Sequence, residues 1–314
     1  MQLIVHHWDA DGICSASLIA KHLVSEGCTN VSPPIGEFRF DERVWKAIGS
    51  SESVFVADLN VPGEVERIDR KTTFFDHHIQ PRIQNRLVRQ INPAINGEKA
   101  PSCAFVISRH IDWWGVESVI GTVGDVGREA LSIPEIKKSM ERLGMSEEDA
   151  VKIATLMDTN HISGNREGVE KAVRVVGELE WRELISFEPW IRQSERIEEE
   201  FRSVISSVSS EGKRAFVEFK SDFNIISRVA RHLVWEVGYD EALVINRDFG
   251  RRVQLYYRVS KKISREKDLA NLISKLRSAG VNAGGKDEVV GCVFSPNKWD
   301  VVREIVYDHL GWFG

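Results

Sequence analysis

Residues 3–16 read LIVHHWDADGICSA. Three apolar residues suited to a buried strand run straight into two histidines and two aspartates, and a helical pattern, GICSASLIAKHLVSEG (12–27), follows at once. Ionisable chemistry at the carboxyl tip of a buried strand marks the edge of an open parallel sheet, where such sheets bind ligands.

Working outward, the same pattern recurs. SVFVADL (53–59) precedes PGEVERIDR (62–70), whose Pro62 suits a first helical turn. TTFFDHH (72–78) follows, then APSCAFVISRHIDWW (100–114) and SVIGTVGDVG (118–127). Short apolar strands alternating with helical segments predict a parallel sheet covered by helices on both faces. From Ser132 to Val208 the pattern is helical, with Ser146 as an N-cap and Trp190, Ile191, Ile197, Phe201, Ile205 and Val208 forming one stripe of a long connector. SSEGK (209–213) marks a boundary, after which strands and helices alternate again. The expected fold class is α/β in two parts. A catalytic domain with a helical extension spans 1–180, a linker helix spans 181–211, and a smaller α/β substrate-binding domain spans 212–314.

The 314 residues are 42% hydrophobic and 28% charged, an ordinary soluble composition, with a formal net charge of −5. The chain is no bulk polycation, so any contact with nucleic acid must use a local basic patch. No stretch has the apolar length of a membrane span and the N-terminus does not resemble a signal peptide, so a cytoplasmic location without membrane partners is expected. Cys14, Cys28, Cys103 and Cys292 stand singly, which excludes a CxxC-type zinc site and fits a reducing compartment.

The acids carry the chemistry. Asp9 and Asp11 follow LIVHHW, Asp58 follows VFVA, Asp76, His77 and His78 follow TFF, and Asp125 follows VIGTVG. Four predicted strands thus end in Asp or His, and in a parallel sheet those ends share one edge. Taken singly, Asp11 could be the N-cap of a helix starting near Gly12, and Asp58 a turn former. Together they form a cluster of carboxylates that cannot all ionise in one cleft without cations. Oxygen donors with a few imidazoles suit two divalent ions, Mn²⁺ first, with Mg²⁺ or Co²⁺ as substitutes.

The segments HHWDADG, ADLN, FFDHH and GTVGDVG, in this order, resemble the four motifs of the DHH phosphoesterase superfamily, which includes RecJ nucleases, nano-RNases, cyclic-dinucleotide phosphodiesterases and family II pyrophosphatases. YYRVS (256–260) and NAGGKDEVVG (282–291) resemble the accompanying DHHA1 substrate domain. The resemblance implies that His7, Asp9 and Asp58 hold one metal. Asp11, Asp58, His77 and Asp125 would hold the other, with Asp58 bridging. His78 would face the scissile phosphate and Asp76 would orient a neighbouring histidine. Arg258, Gly284, Gly285 and Lys286 would contact substrate, Lys286 standing where the family usually has histidine. Alternation along RRVQLYYRVS (251–260) sets Arg252, Gln254, Tyr256 and Arg258 on one face, suited to phosphates and a stacked base. The implied activity is a metal-dependent 3′-to-5′ exonuclease on short single-stranded DNA or RNA, of the compact nano-RNase or archaeal exonuclease type. Hydrolysis of a cyclic dinucleotide or a phosphonucleotide is the alternative, and a replication or repair scaffold that docks a helicase is the non-enzymatic one. A homo-oligomer is expected.

Overall fold

The computed structural model describes residues 1–24 and 27–311, so the last two residues of the expected first helix before Gly27, Ser25 and Glu26, lie outside the described residues. The chain divides into two units, Met1–His161 with Asn165–Ser194, and Ile162–Gly164 with Glu195–Gly314. The division falls within the long connector helix.

The first unit opens with β1 (Gln2–His6), α1 (Ala10–His22), β2 (Cys28–Val31), α2 (Glu42–Gly49), β3 (Ser53–Ala57), α3 (Pro62–Val65), β4 (Lys71–Phe75) and β5 (Val88–Ile91). Helices α4 (Cys103–Ile111), α5 (Val116–Val126), α6 (Pro134–Leu143), α7 (Glu147–Ile162), α8 (Arg166–Glu178), α9 (Trp181–Leu184) and the start of α10 (Glu188–Ser206) follow. The five strands are all parallel, in the order β2-β1-β3-β4-β5. Alternation along each strand supplies two cores. Ile4, Ala57 and Phe75 join the core under α1, α4 and α5, while Leu3, Val5, Val54, Val56 and Phe74 pack with Val44 and Ile48 of α2 and Val65 of α3 on the other face. Pro62 opens α3, and the Ser146 hydroxyl accepts from the Asp149 amide (3.1 Å) ahead of α7, as their residue types dictate.

One expected strand is a helix. SVIGTVGDVG forms most of α5, so three strand ends and one helix end supply the acids. Its glycines let α5 lie directly on α1 and α4. A Cβ at Gly121 would stand 2.6 Å from the Ala104 Cβ and 3.0 Å from Asp11 Oδ1, and one at Gly124 would stand 2.7 Å from the Ala10 Cβ. Gly121→Ala is therefore expected to destabilise this unit by roughly 1–3 kcal/mol through overpacking. Thermal melting against wild type measures it, and an unchanged midpoint would contradict the close approach.

The second unit holds β6 (Ser209–Glu211), β7 (Arg214–Phe219), α11 (Ile226–Arg231), β8 (Glu241–Phe249), β9 (Arg252–Val259), α12 (Leu269–Ser278), β10 (Asn282–Lys286), β11 (Val289–Phe294) and α13 (Trp299–Leu310). Its sheet runs β10-β11-β9-β8-β7-β6, with β7–β8 parallel and the other pairs antiparallel. Helices α12 and α13 cover the face carrying Val253, Leu255, Tyr257 and Val259. The opposite face is not the open polar surface that alternation predicts. Helix α11 covers part of it, Gln254 is buried and donates to Asn224 Oδ1 (3.1 Å), and Tyr256 packs into that second core.

Candidate metal centre

Sheet register builds the first row of the site. His6 pairs with Ala57, Ala57 with Phe75, and Phe75 with Ile91. The next residue on each strand, His7, Asp58, Asp76 and Asn92, therefore stands on one line across the carboxyl edge. The ladder continues one step into that row: the amides of His7, Asp58 and Asp76 donate to the carbonyls of Ala57 (3.2 Å), Phe75 (3.0 Å) and Ile91 (3.2 Å). The strand order reverses between β1 and β3, which is where open sheets of this order form their ligand crevice. Asp58 lies at that point. Its φ is 60°, in the left-handed region that Asp tolerates better than most residues, and its side chain is only 3% exposed.

Helix α1 brings the next residues. Its N-cap is Asp9 and not Asp11, since the helix starts at Ala10 and the Asp9 carboxylate accepts from the Gly12 amide (3.0 Å). Gly12 has no room for a side chain, because a Cβ there would lie 2.5 Å from the His7 carbonyl oxygen. Asp11 instead turns inward, where its two oxygens accept from the first amides of α4, Cys103 (2.7 Å) and Ala104 (2.9 Å). The two adjacent histidines separate cleanly. His6 is fully buried with its ring against the His7 carbonyl (2.7 Å) and Asn30 Oδ1 (3.1 Å). His7 turns to the acids, with Nδ1 2.8 Å from Asp9 Oδ2 and 3.7 Å from Asp58 Oδ2.

From the β4 end, His77 places Nε2 3.5 Å from Asp58 Oδ1 and 3.6 Å from Asp125 Oδ2. Its Nδ1 faces the Ala100 carbonyl (3.3 Å), which fixes the tautomer with the Nε2 lone pair turned to the acids. Asp76 Oδ1 accepts from the amides of His77 (2.7 Å) and His78 (2.9 Å) and from His78 Nδ1 (2.7 Å). That hydrogen bond to Asp76 raises the His78 imidazole above its ordinary value.

Ligand atoms that could hold a metal fall into three groups, each within 4.8 Å: His7, Asp9 and Asp58; Asp11, His77 and Asp125; and Asp58, Asp76, His77 and His78. Two buried atoms among them, His77 Nε2 and Asp76 Oδ2, have no hydrogen-bond partner, and His7 Nδ1 has only the Asp9 carboxylate beside it. Burial, then mutual repulsion with the neighbouring carboxylates, pushes Asp11 and Asp58 well above the carboxylate range, and burial raises Asp125. Burial acts the same way on Asp9, but the His7 imidazole beside it wins and holds it low. Imidazole nitrogens turned to carboxylates that resist ionisation are the donor set that divalent cations relieve. The residues fit two such ions.

Sequence reasoning passed over several neighbours. Asp158 on α7 accepts from the Ala10 amide (2.9 Å), and His161 Nε2 lies 3.5 Å from it. Phe38, 60% exposed, stacks on His7 with ring centres 5.8 Å apart. Asn92 Nδ2 donates to the His78 carbonyl (2.8 Å). Only the i, i+3 spacing of Asp158 and His161 was a signal in the chain itself.

In the second unit Gly284, Gly285 and Lys286 are in strand β10. Lys286 pairs with Val289 and Val289 with Arg258, while Gly284 pairs with Gly291 and Gly291 with Tyr256. Cross-paired residues share a face, so Arg258, Val289 and Lys286 form one row beside the glycine pair Gly284 and Gly291. A Cβ on Gly284 would meet nothing within 4 Å, whereas one on Gly285 would strike the Val289 carbonyl at 1.9 Å. The Arg258 guanidinium lies 4.6 Å from the ring centre of Trp235, which is 58% exposed, and its Nε has no partner. Arg252 is not part of this group. It sits six residues along β9, about 20 Å from Arg258.

No protein-family model matches the sequence, and no curated protein does. Solved structures do. A manganese-bound exonuclease RecJ superposes with a TM-score of 0.69 at 14% identity, over 100% of this chain and 90% of its own. This chain has the DHH fold. A DHH-domain member of a ribosomal protein family superposes with a TM-score of 0.67 at 16% identity, covering 98% of this chain and 86% of that one. The pGpG-specific phosphodiesterase PggH from Vibrio superposes with a TM-score of 0.55 at 14% identity, covering 99% and 98%. The DHH fold thus extends over both units of this chain.

Proposed function

We propose that this chain is a two-metal phosphodiesterase acting on short single-stranded DNA or RNA, with cleavage running 3′ to 5′. The observation that carries the reading is the row of His7, Asp58 and Asp76 at one sheet edge, completed by Asp9, Asp11, His77 and Asp125 into overlapping ligand groups, with the buried His77 Nε2 left without a hydrogen-bond partner. His7, Asp9 and Asp58 would hold one ion, and Asp11, Asp58, His77 and Asp125 the other. When bound, such a pair supplies an acidified water and neutralises charge on a phosphoryl group in displacement. Asp76 accepts from His78 Nδ1 and raises the imidazole, which favours the doubly protonated ring, whose Nε2–H would donate to a phosphate oxygen. Arg258, Lys286 and the open backbone at Gly284 would bind phosphates of the substrate, and Trp235 beside Arg258 offers a ring for a base. A RecJ of the same fold binds manganese, and PggH acts on a linear dinucleotide, which supports a phosphodiester substrate.

The test is a time course on end-labelled single-stranded DNA and RNA oligomers with Mn²⁺, with pGpG and a cyclic dinucleotide alongside. A ladder of products shortening from the 3′ end is expected, and chelation should stop it. Shortening from the 5′ end would reverse the polarity. Cleavage of dinucleotides alone would shift the reading to a dinucleotide phosphodiesterase, and no hydrolysis of any of them would remove it.

A further inference from the structure

One basic feature of the first unit is not used by the candidate centre. Between His77 and Ile111 the chain carries Arg82, Arg86, Arg89, Lys99 and Arg109 with Glu98 as the only acid, although acids outnumber Lys and Arg over the whole chain, 47 to 42. The fold gathers three of these arginines. Beyond edge strand β5 lies an open cleft of about 580 Å³, lined by Arg82, Arg89, Asn92, Glu98, Arg109 and His110 among others. Arg82 comes from the loop before β5, Arg89 from β5 itself and Arg109 from the last turn of α4.

The charges are poorly compensated. Arg109 reaches Glu98 only at 3.9 Å, with half or more of each side chain in solvent, a geometry worth little. Arg82 donates to the neutral Asn96 side chain (3.3 Å). Arg89 has no acidic partner among the described residues. A charged residue on an edge strand guards it against pairing with another chain, and Arg89 would serve that end alone. Arg82 and Arg109 lie on other elements and have no edge to guard.

The cleft also touches the catalytic row. Asn92 and Ile91 line it, and Asn92 Nδ2 donates to the His78 carbonyl while the Ile91 carbonyl accepts from the Asp76 amide. It therefore opens beside the loop that would face the scissile phosphate. Among the described residues His110 is the only aromatic ring in its lining, so it offers cations for phosphates and no broad shelf for a base.

We propose that this cleft is a backbone subsite, in which Arg82, Arg89 and Arg109 contact phosphates of a single strand on the stretch away from the scissile bond. The proposal rests on the phosphodiesterase reading above and adds to it that the substrate is a strand longer than a dinucleotide. Planar guanidinium forks on three separate elements suit successive phosphates of an extended chain better than one compact anion.

The test compares wild type with the triple variant Arg82→Ala, Arg89→Ala, Arg109→Ala, whose melting temperature checks that it folds. Binding of fluorescent DNA and RNA dodecamers is measured across a salt series, and kcat/KM is measured on a dinucleotide, on a dodecamer and on an aryl phosphodiester. For three lost phosphate contacts the salt slope of binding should fall by about 2, at roughly 0.7 per contact on a single strand. Dodecamer KM should rise about 10- to 100-fold while the dinucleotide and the aryl ester stay within about twofold, since three solvent-exposed contacts at roughly two- to fivefold each multiply to about one to two decades. A larger loss on DNA than on RNA, or the reverse, identifies the strand type. An unchanged dodecamer salt slope, or equal losses on all substrates, would overturn the proposal. If wild type hydrolyses no phosphodiester yet the variant loses the salt slope, the subsite stands and the enzymatic reading falls.

Discussion

Asp58→Ala is expected to remove turnover almost completely while leaving a folded protein. Asp58 stands between the β1 and β4 sides of the site, 3.7 Å from the His7 ring and 3.5 Å from the His77 ring. As the group common to both proposed ligand sets, its loss would disturb both ions of the proposed pair. Several kcal/mol of charge stabilisation would go, and about 4 kcal/mol is a loss of roughly 10³-fold in kcat. Asp125→Ala, which touches one set and is 28% exposed, should cost less. Stability should move the other way. Burial and the neighbouring acids push Asp58 well above the carboxylate range, so an ionised Asp58 destabilises the metal-free fold. Asp58→Asn keeps the size and the tolerance of a φ of 60° but drops the charge. It should melt higher than wild type without metal and be as inactive as the alanine variant. Steady-state kinetics and melting on both variants check this. Near wild-type turnover in either, or a metal-free Asp58→Asn that melts lower, would break the assignment.

The parts of the site that were legible in the chain are those where strand periodicity and acid position coincide. LIVHHWD, VFVAD and TFFDHH each carry a short buried run with ionisable residues directly after it, and register then aligns their ends without further information. Helix α5 was not legible as a helix. VIGTVG is rich in β-branched residues and is buried among α1, α4 and α5's own neighbours on nearly all sides, so no helical stripe of polar residues shows. Its glycines read as strand punctuation, but they are packing positions. Strands β2 (CTNV) and β5 (VRQI) are short and half polar, and escape any apolar-run search. Strand β10 hides behind two glycines. The cover over the Gln254 face comes from α11, a purely tertiary fact. The same holds for Asp158, whose partner Ala10 lies 148 positions away, and for the arginine cleft, which needs β5 and α4 side by side before its charges gather.

Metal should reshape stability, and the direction of its pH dependence follows from the same shifts. A carboxyl raised in the fold holds more protons there than in the unfolded chain, so stability falls as pH rises from the ordinary carboxylate value through the raised one. Asp11, Asp58 and Asp125 all act in this sense. His78 and His161, raised by their aspartate partners, add stability below pH 6.5 that is lost as pH climbs through their higher folded values. Asp9 is held low, so its contribution is present above 3.8 and lost only on further acidification. His6, lowered by burial, opposes the trend only below its ordinary value of 6.5. Metal-free protein should therefore melt lower at mildly alkaline pH than at mildly acidic pH. A divalent ion competes with those protons, so its stabilisation should grow over the same interval. With Mn²⁺ at about a thousand times its dissociation constant, one site contributes about 4 kcal/mol, or roughly 8–16 °C in melting temperature for a domain of this size. Melting from acid to mildly alkaline pH, after chelation and again with Mn²⁺, Mg²⁺ or Co²⁺, reads both effects. A metal-free curve that rises with pH, or a melting point that saturating Mn²⁺ does not move, would mean that these carboxylates are not gathered as a metal centre.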